Sequence, residues 1–343
     1  MDTTADTTGT LDEALQRLHA SGPERLGRLT NHAPMAVEAL AAHGRADAVH
    51  RWLDLYAPKL EEYPGAVEPI TAANRREALG DPRRAADWIA YFGRELDGRP
   101  WREVLAAWWP LLLPGLYGGS THPVIRVGHA VRTLLAGEAT APRVAELAHG
   151  LGYWAARHRP VPGVALLPVD ARTATAALDA VEPIPDRDSG GFPARLERVT
   201  ALPAWAAGVR DPDEARRELT ELVRAATHRY ATHGHGEATM LVHASTAPNA
   251  VLRALPALPR TLWAPSLHAA WTASAAVTSM YAPDAPVAYT APGAFAPEEV
   301  FERALAHGDE HVIKFADTAL DVGDGRALAA ALRAIEISEP PAA

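Results

Sequence analysis

Helical periodicity runs through almost the whole of this chain and leaves room for little else. Apolar residues recur at a spacing near 3.6 in LDEALQRLHA (11–20) and in segments 35–42, 46–56, 84–97, 101–109, 123–136, 141–158, 171–180, 212–230, 249–254, 266–280, 298–307 and 309–320. The strict apolar/polar alternation of a half-buried strand is nearly absent. Twenty-nine prolines and 25 glycines interrupt the pattern, so the helices are joined by irregular connections. The expected class is all-α, an irregular multi-helix bundle with long Pro/Gly-rich connections. With 343 residues and 48% hydrophobic content, the core is large. We expect one helical domain over 1–343, with an N-terminal half 1–180, a linker or lid 181–210 and a C-terminal half 211–338. No internal repeat is evident, and the tail EPPAA reads as disordered.

Composition narrows the function. A net charge of −9 without any run of basic residues argues against binding a phosphate backbone, so no nucleic-acid partner is expected. The absence of cysteine removes disulfides, thiolate nucleophiles and zinc–cysteine sites. The longest apolar stretch, AAWWPLLLPGL (106–116), holds two prolines and is too short to span a bilayer, so no membrane partner is expected. MDTTADTTGT lacks the basic and apolar regions of a signal peptide, and the expectation is a cytoplasmic protein. No GxGxxG, GxxxxGK[ST] or GxSxG supports a nucleotide or α/β-hydrolase site.

Histidine is the richest chemical signal, at 15 residues. His19, His43, His50, His158, His233, His235 and His307 fall near helix ends or in polar loops and read as solvated. Three others share a local pattern. His32 in TNHAPMAVEAL and His122 in GGSTHPVIRVGHAVR each stand at a helix start beside a proline suited to the first turn. His243 in MLVHASTAPNAVLRAL lies about one turn before Pro248, where the pattern breaks. An imidazole at a helix end is held rigidly and suits a metal; it equally suits a capping or core role with a backbone partner. His311 is the fourth, in HGDEHVIKFADTAL (307–320). That stretch also carries Lys314, one of two lysines in a chain with 31 arginines. Positions 311, 314, 315 and 318 share a helix face, and the helix is apolar around most of its circumference. Lys314 either snorkels to solvent or pairs with Asp317 or Asp309, or it is buried and driven toward the neutral amine. His129 follows His122 by seven residues, roughly 10 Å along the axis, and suits a substrate-facing role or one behind the ligands. His268 faces a pocket beside Trp271 or is structural.

At these residues the chain resembles the questin oxidase-like family. The matching pieces are TNHAPMAVEALAAHGRADAVHRWLDLY (30–56), PGLYGGSTHPVIRVGHAVRTL (114–134), ELAHGLGYWAAR (146–157), LVHASTAPNAVLRALPALP (241–259) and DEHVIKFADTAL (309–320). They stand in family order across nearly the whole chain. The resemblance implies oxygen chemistry on aromatic polyketides, the oxidative opening of a quinone-bearing ring in anthraquinones. It implies a non-haem iron whose ligands are four histidines and a carboxylated lysine. Carried onto this sequence, the metal ligands are His32, His122, His243, His311 and Lys314, and His129 or His268 is the alternative for one of the four. Arg126 stands where some fungal members have histidine, and it would bind a quinone oxygen or phenolate. Arg126 and His129 are the catalytic candidates. Fe(II) and O2 are the implied cofactors, an aromatic polyketide the implied partner, and NADPH a candidate external reductant.

Three other readings compete. One is a metal-independent, NADPH-dependent Baeyer–Villiger-type monooxygenase; the missing dinucleotide fingerprint counts against bound flavin. Another is a zinc hydrolase, weakened by the lack of HExxH. The last is a non-catalytic helical small-molecule binder. The aromatic residues Trp108, Trp109, Tyr117, Tyr153, Trp154 and Trp271 line a flat pocket or, more simply, fill the core.

Overall fold

The structure is a computed structural model that describes residues 7–26, 29–160, 163–187 and 189–341. The first six residues of the polar N-terminus and the last two of the EPPAA tail lie outside them. The described chain is all-α, and its only strands are two- and three-residue pieces.

The chain divides into two units. One comprises the chain up to Pro160 together with Arg253–Pro259; the other runs on from there to Leu252 and resumes at Arg260. The first unit holds α1 (Thr7–His19), α2 (Ala33–Ala42), α3 (Ala46–Tyr56), α4 (Arg75–Ala78), α5 (Ala85–Gly98), α6 (Trp101–Leu112), α7 (His122–Ala136) and α8 (Ala141–Arg157). Its strands β1 (Glu24–Arg25) and β2 (Leu29–Thr30) pair antiparallel. Amphipathic patterning places these helices directly: α3 buries Val49, Trp52, Leu53 and Tyr56, one stripe of an i, i+3, i+4, i+7 pattern. Helix α8 packs on α1, α5 and α7. Its contact with α5 depends on Gly152, where a Cβ would stand 2.6 Å from the Ile89 backbone nitrogen. Beside it Trp88, Phe92 and Trp108 pack edge and face, and Trp109 meets Trp154 edge-on at 5.3 Å. Trp108, Trp109, Tyr117, Tyr153, Trp154 and Trp271 are all buried, which is the core role.

The second unit holds α9 (Ala174–Asp179), α10 (Phe192–Leu196), α11 (Pro212–His233), α12 (Ala238–Leu241), α13 (His243–Ala254, its last two residues in the first unit), α14 (Trp263–Tyr281), α15 (Pro297–His307), α16 (Glu310–Val322) and α17 (Gly325–Ile337). Strands β3 (Ala165–Leu167) and β4 (Ala201–Pro203) pair in parallel. Residues 181–210 carry α10 and β4. Helix α11 packs on α14, α16 and α17, and α15 packs on α16 and α17.

Among helices of ten or more residues, two differ from the sequence reading. Helix α17 has no counterpart in it, although GRALAAALRAIEI buries one face, Ala327, Ala330, Ala331, Leu332 and Ala334, and leaves Arg326 and Glu336 exposed. Helix α13 begins at His243 and runs through Pro248 rather than starting after it. Proline removes the N–H that would bond the carbonyl four residues back. That carbonyl, on Ala244, is taken instead by the Ser274 hydroxyl of α14 at 2.6 Å. The helix therefore survives its proline, and His243 becomes a helical residue.

Replacing Ser274 with Ala orphans the buried Ala244 carbonyl. We predict a loss of about 1–3 kcal/mol in urea unfolding; an unchanged midpoint would show that the helix holds Pro248 unaided.

Candidate metal centre

In the first unit the candidate histidines meet. His32 precedes the first residue of α2, and its backbone N–H donates to Tyr56 Oη at 3.0 Å. Asn31 accepts the Ala33 N–H on Oδ1 and donates from Nδ2 to Gly22 O. His122 opens α7. Both imidazoles are buried, at 3% and 6% exposure, and their Nε2 atoms stand 2.8 Å apart with the rings edge to face. The His122 Nδ1–H donates to Gly119 O at 2.7 Å, which leaves a lone pair on Nε2 of the neutral ring. One proton then holds the two Nε2 atoms together, and a metal would displace it. Two nitrogens about 2.1 Å from a common divalent ion and at right angles lie roughly 3.0 Å apart, so the pair is spaced as adjacent ligands are.

The turn that aims His122 is strained. Gly119, Ser120 and Thr121 all take left-handed backbone angles, with φ of 56°, 54° and 67°. For the buried, β-branched Thr121 this costs on the order of 1–3 kcal/mol. Close packing holds the turn: a Cβ on the preceding Gly118 would lie 1.6 Å from Arg157 O. Gly118 thus lets the turn lie against the end of α8.

The second unit brings His243 and His311 together, their ring centroids 5.7 Å apart. His243 is 1% exposed, and its Nδ1–H donates to Met240 O at 3.0 Å, which puts the lone pair of the neutral ring on Nε2. Burial, reinforced by the charge on Lys314, pushes its pKa down to about 3, so it is neutral near pH 7. His311 follows the cap Asp309, whose carboxylate accepts the His311 and Val312 N–H groups. Asp309, Glu310 and His311 also form a group whose ligand atoms lie within 4.8 Å of one another.

Lys314 lies one turn after His311. It is 1% exposed, and Nζ has no hydrogen-bond partner among the described residues. It neither reaches solvent nor bonds Asp317 or Asp309. Burial pushes its pKa down to about 7 against the opposing pull of Glu310 and Asp309. Thr246, one turn after His243, has a buried hydroxyl that is likewise unpartnered among the described residues.

The other candidates are engaged elsewhere. Arg126 makes a two-pronged ion pair with Glu146 of α8, Nε–Oε1 at 2.5 Å and Nη2–Oε2 at 2.8 Å. Burial raises the Glu146 pKa, but Arg126 and then His19 bring it well below the usual carboxylate range. His129 Nδ1 bonds Glu38 Oε2 of α2 at 2.5 Å, and Glu38 also accepts from Arg132 and Thr133. His268 Nε2 bonds Ala206 O at 3.1 Å, a backbone tie in the second unit.

The questin oxidase-like family model matches residues 29–319, a span that includes every candidate ligand. The chain belongs to the questin oxidase-like family. No curated relative matches it. The family description is that of an oxidase, which makes this chain an oxidoreductase. No helix among the described residues is long and apolar enough to cross a membrane.

Sequence reasoning overlooked the carboxylates. Glu38 and Glu146 are both buried. His19, read as solvated, bonds Glu146 at 2.9 Å and stacks on His149 at 4.4 Å. The available signal was the stripe His122, Arg126, His129, Thr133 on one face of α7, which needs acceptors once it is buried.

Glu38 yields a pH prediction. Burial raises its pKa, but Arg132 and His129 together bring it to about 2, against 4.5 ordinarily. A depressed carboxylate adds stability above its unfolded pKa and loses it as pH falls through the folded one. Glu38→Gln should cost about 3–5 kcal/mol at pH 7. The gap to wild type should narrow as the pH falls from 4.5 toward 2 in denaturant titrations. A pH-independent gap would show that packing, not charge, holds the cluster.

Proposed function

We propose that this chain is a non-haem iron oxygenase that opens or inserts oxygen into an aromatic polyketide ring of the anthraquinone kind, with His32, His122, His243, His311 and a carboxylated Lys314 as the ligands. One observation carries the reading: the amine of Lys314 is buried, unpartnered and held near pH 7 beside a pair of metal-competent histidines. A structural cation in such a place would be costly, because an unpaired buried charge finds no compensation. A neutral amine escapes that cost and is a nucleophile. It attacks the carbon of CO2, a C–N bond forms, one proton leaves, and the result is an anionic N-carboxylate. That group offers oxygen ligands like those of Asp or Glu but with longer reach. Arginine cannot do the same, because its guanidinium stays protonated in proteins.

Four imidazoles and one carboxylate-like oxygen make a donor set that suits Fe(II) and leaves a position open. Bound there, the iron supplies the means to combine O2 with an electron-rich phenol or hydroquinone. The protein's part is to present neutral imidazoles with fixed tautomers. Gly119 O fixes His122 and Met240 O fixes His243, each by binding the Nδ1 proton. Arg126 and His129 support the site from behind in this reading, since both are tied to carboxylates.

Lys314→Arg should abolish iron binding in anaerobically purified protein, and Lys314→Glu should retain part of it. His32→Ala and His243→Ala should each lose metal. In metal-free wild type, 13C-labelled bicarbonate should give a carbamate resonance that Lys314→Arg lacks. Wild-type iron content and turnover in Lys314→Arg would end the proposal.

A further inference from the structure

The two histidine pairs are built on the same frame, although the sequence shows no repeat. His32 lies at the start of α2 and His122 at the start of α7. Six residues beyond His32, Glu38 bonds the residues seven and ten beyond His122, His129 at 2.5 Å and Arg132 at 2.9 Å. In the second unit His243 starts α13 and His311 lies in the first turn of α16. Six residues beyond His243, Asn249 Nδ2 donates to the residues seven and ten beyond His311, Thr318 Oγ1 at 3.3 Å and Asp321 Oδ2 at 2.9 Å. Both contacts advance in the same sense along both helices, so each pair packs in parallel. The wider packing agrees: α1 and α7 lie on α8 as α11 and α16 lie on α17. Under this correspondence few residues are identical, which hides the repeat from the sequence.

The chemistry of the two polar contacts is inverted while their position is kept. The first is an anionic acceptor facing His129, Arg132 and Thr133. The second is an amide donor facing Thr318 and Asp321. Buried polar contacts are retained where register must be unique, and the same register recurs here with acceptor and donor exchanged. A slip of one residue moves a side chain about 1.5 Å along a helix axis. A ligand constellation tolerates only about 0.5 Å. Apolar packing alone permits such slips more readily than a hydrogen-bonded pair does.

We propose that Glu38 and Asn249 are equivalent positioning residues of a duplicated motif. Each locks the axial register of one parallel helix pair and so sets how closely the pair's two histidines approach. The proposal rests on the metal reading above, and its test separates the two. Cobalt(II) serves as the probe, titrated by visible absorption into metal-free wild type, Glu38→Ala, Glu38→Gln, Asn249→Ala and Val131→Ala. Val131 is fully buried on α7 but makes no polar contact, so its truncation controls for lost stability. Glu38→Ala and Asn249→Ala should weaken cobalt about 10- to 100-fold and alter its spectrum. Glu38→Gln, which keeps an acceptor oxygen, should retain more affinity than Glu38→Ala. Val131→Ala should lower Tm and leave affinity and spectrum unchanged.

In metal-free protein, 15N-histidine spectra should show the His32–His122 contact in wild type and its loss in Glu38→Ala. Wild-type cobalt binding in both alanine variants overturns the proposal, as does an equal loss in Val131→Ala. Should wild type bind no cobalt, the metal reading falls, and persistence of the His32–His122 signal in Glu38→Ala then overturns the positioning role independently.

Discussion

The approach of His32 Nε2 to His122 Nε2, at 2.8 Å, constrains most of the first unit. It requires two helices to begin side by side, point the same way and hold their register through two turns. The left-handed Gly119–Thr121 turn delivers α7 to that place, and Gly118 lies tight enough on Arg157 O to keep the turn there. Glu38 then takes up the buried donors that follow down the face of α7. Strain at one end and a buried ionic cluster at the other are both tolerable only if the position of the two rings matters.

The second unit meets the same requirement with different chemistry. Its clamp is an amide, its Pro248 is accommodated by Ser274, and its histidine Nδ1 atom is fixed by Met240 O rather than by a turn glycine. The feature without a structural purpose is Lys314. The cations of α7 each have a carboxylate: buried Arg126 has Glu146, and half-buried Arg132 has Glu38. The Lys314 amine has neither a hydrogen bond nor solvent, and burial outweighs the acidic neighbours that would keep it charged.

Much of this was legible in the residues. Period 3.6 gave the class and most of the helices, because amphipathic stripes such as that of α3 reflect one buried face. His32 and His122 stood out by their place at helix starts, His243 by lying a turn before Pro248 and His311 by sharing a face with Lys314; family resemblance singled out Lys314 where pattern alone left it balanced against a paired cation. What could not be read had physical causes. A proline reads as a break unless the hydroxyl that rescues its orphaned carbonyl is known, and Ser274 lies 26 residues beyond Pro248. Glu38 and Glu146 were not singled out: the His129 and Arg132 that meet Glu38 lie more than 90 residues away in the chain, and Arg126, which meets Glu146, belongs to a different helix.

The repeat isolates the level at which the two units differ. Three residues beyond each histidine the first unit has Met35 and Ile125, both buried and apolar, which is what packing between two helices asks for. The corresponding positions in the second unit are Thr246 and Lys314, both buried, and each has a polar atom without a hydrogen bond among the described residues. Two unsatisfied polar groups cost several kilocalories per mole relative to the apolar solution that the first unit displays. The same frame is therefore stable without them, and stability does not explain their presence. In the reading proposed above, a carboxylate on the lysine nitrogen, which the amine itself can make, would remove the unpaired amine.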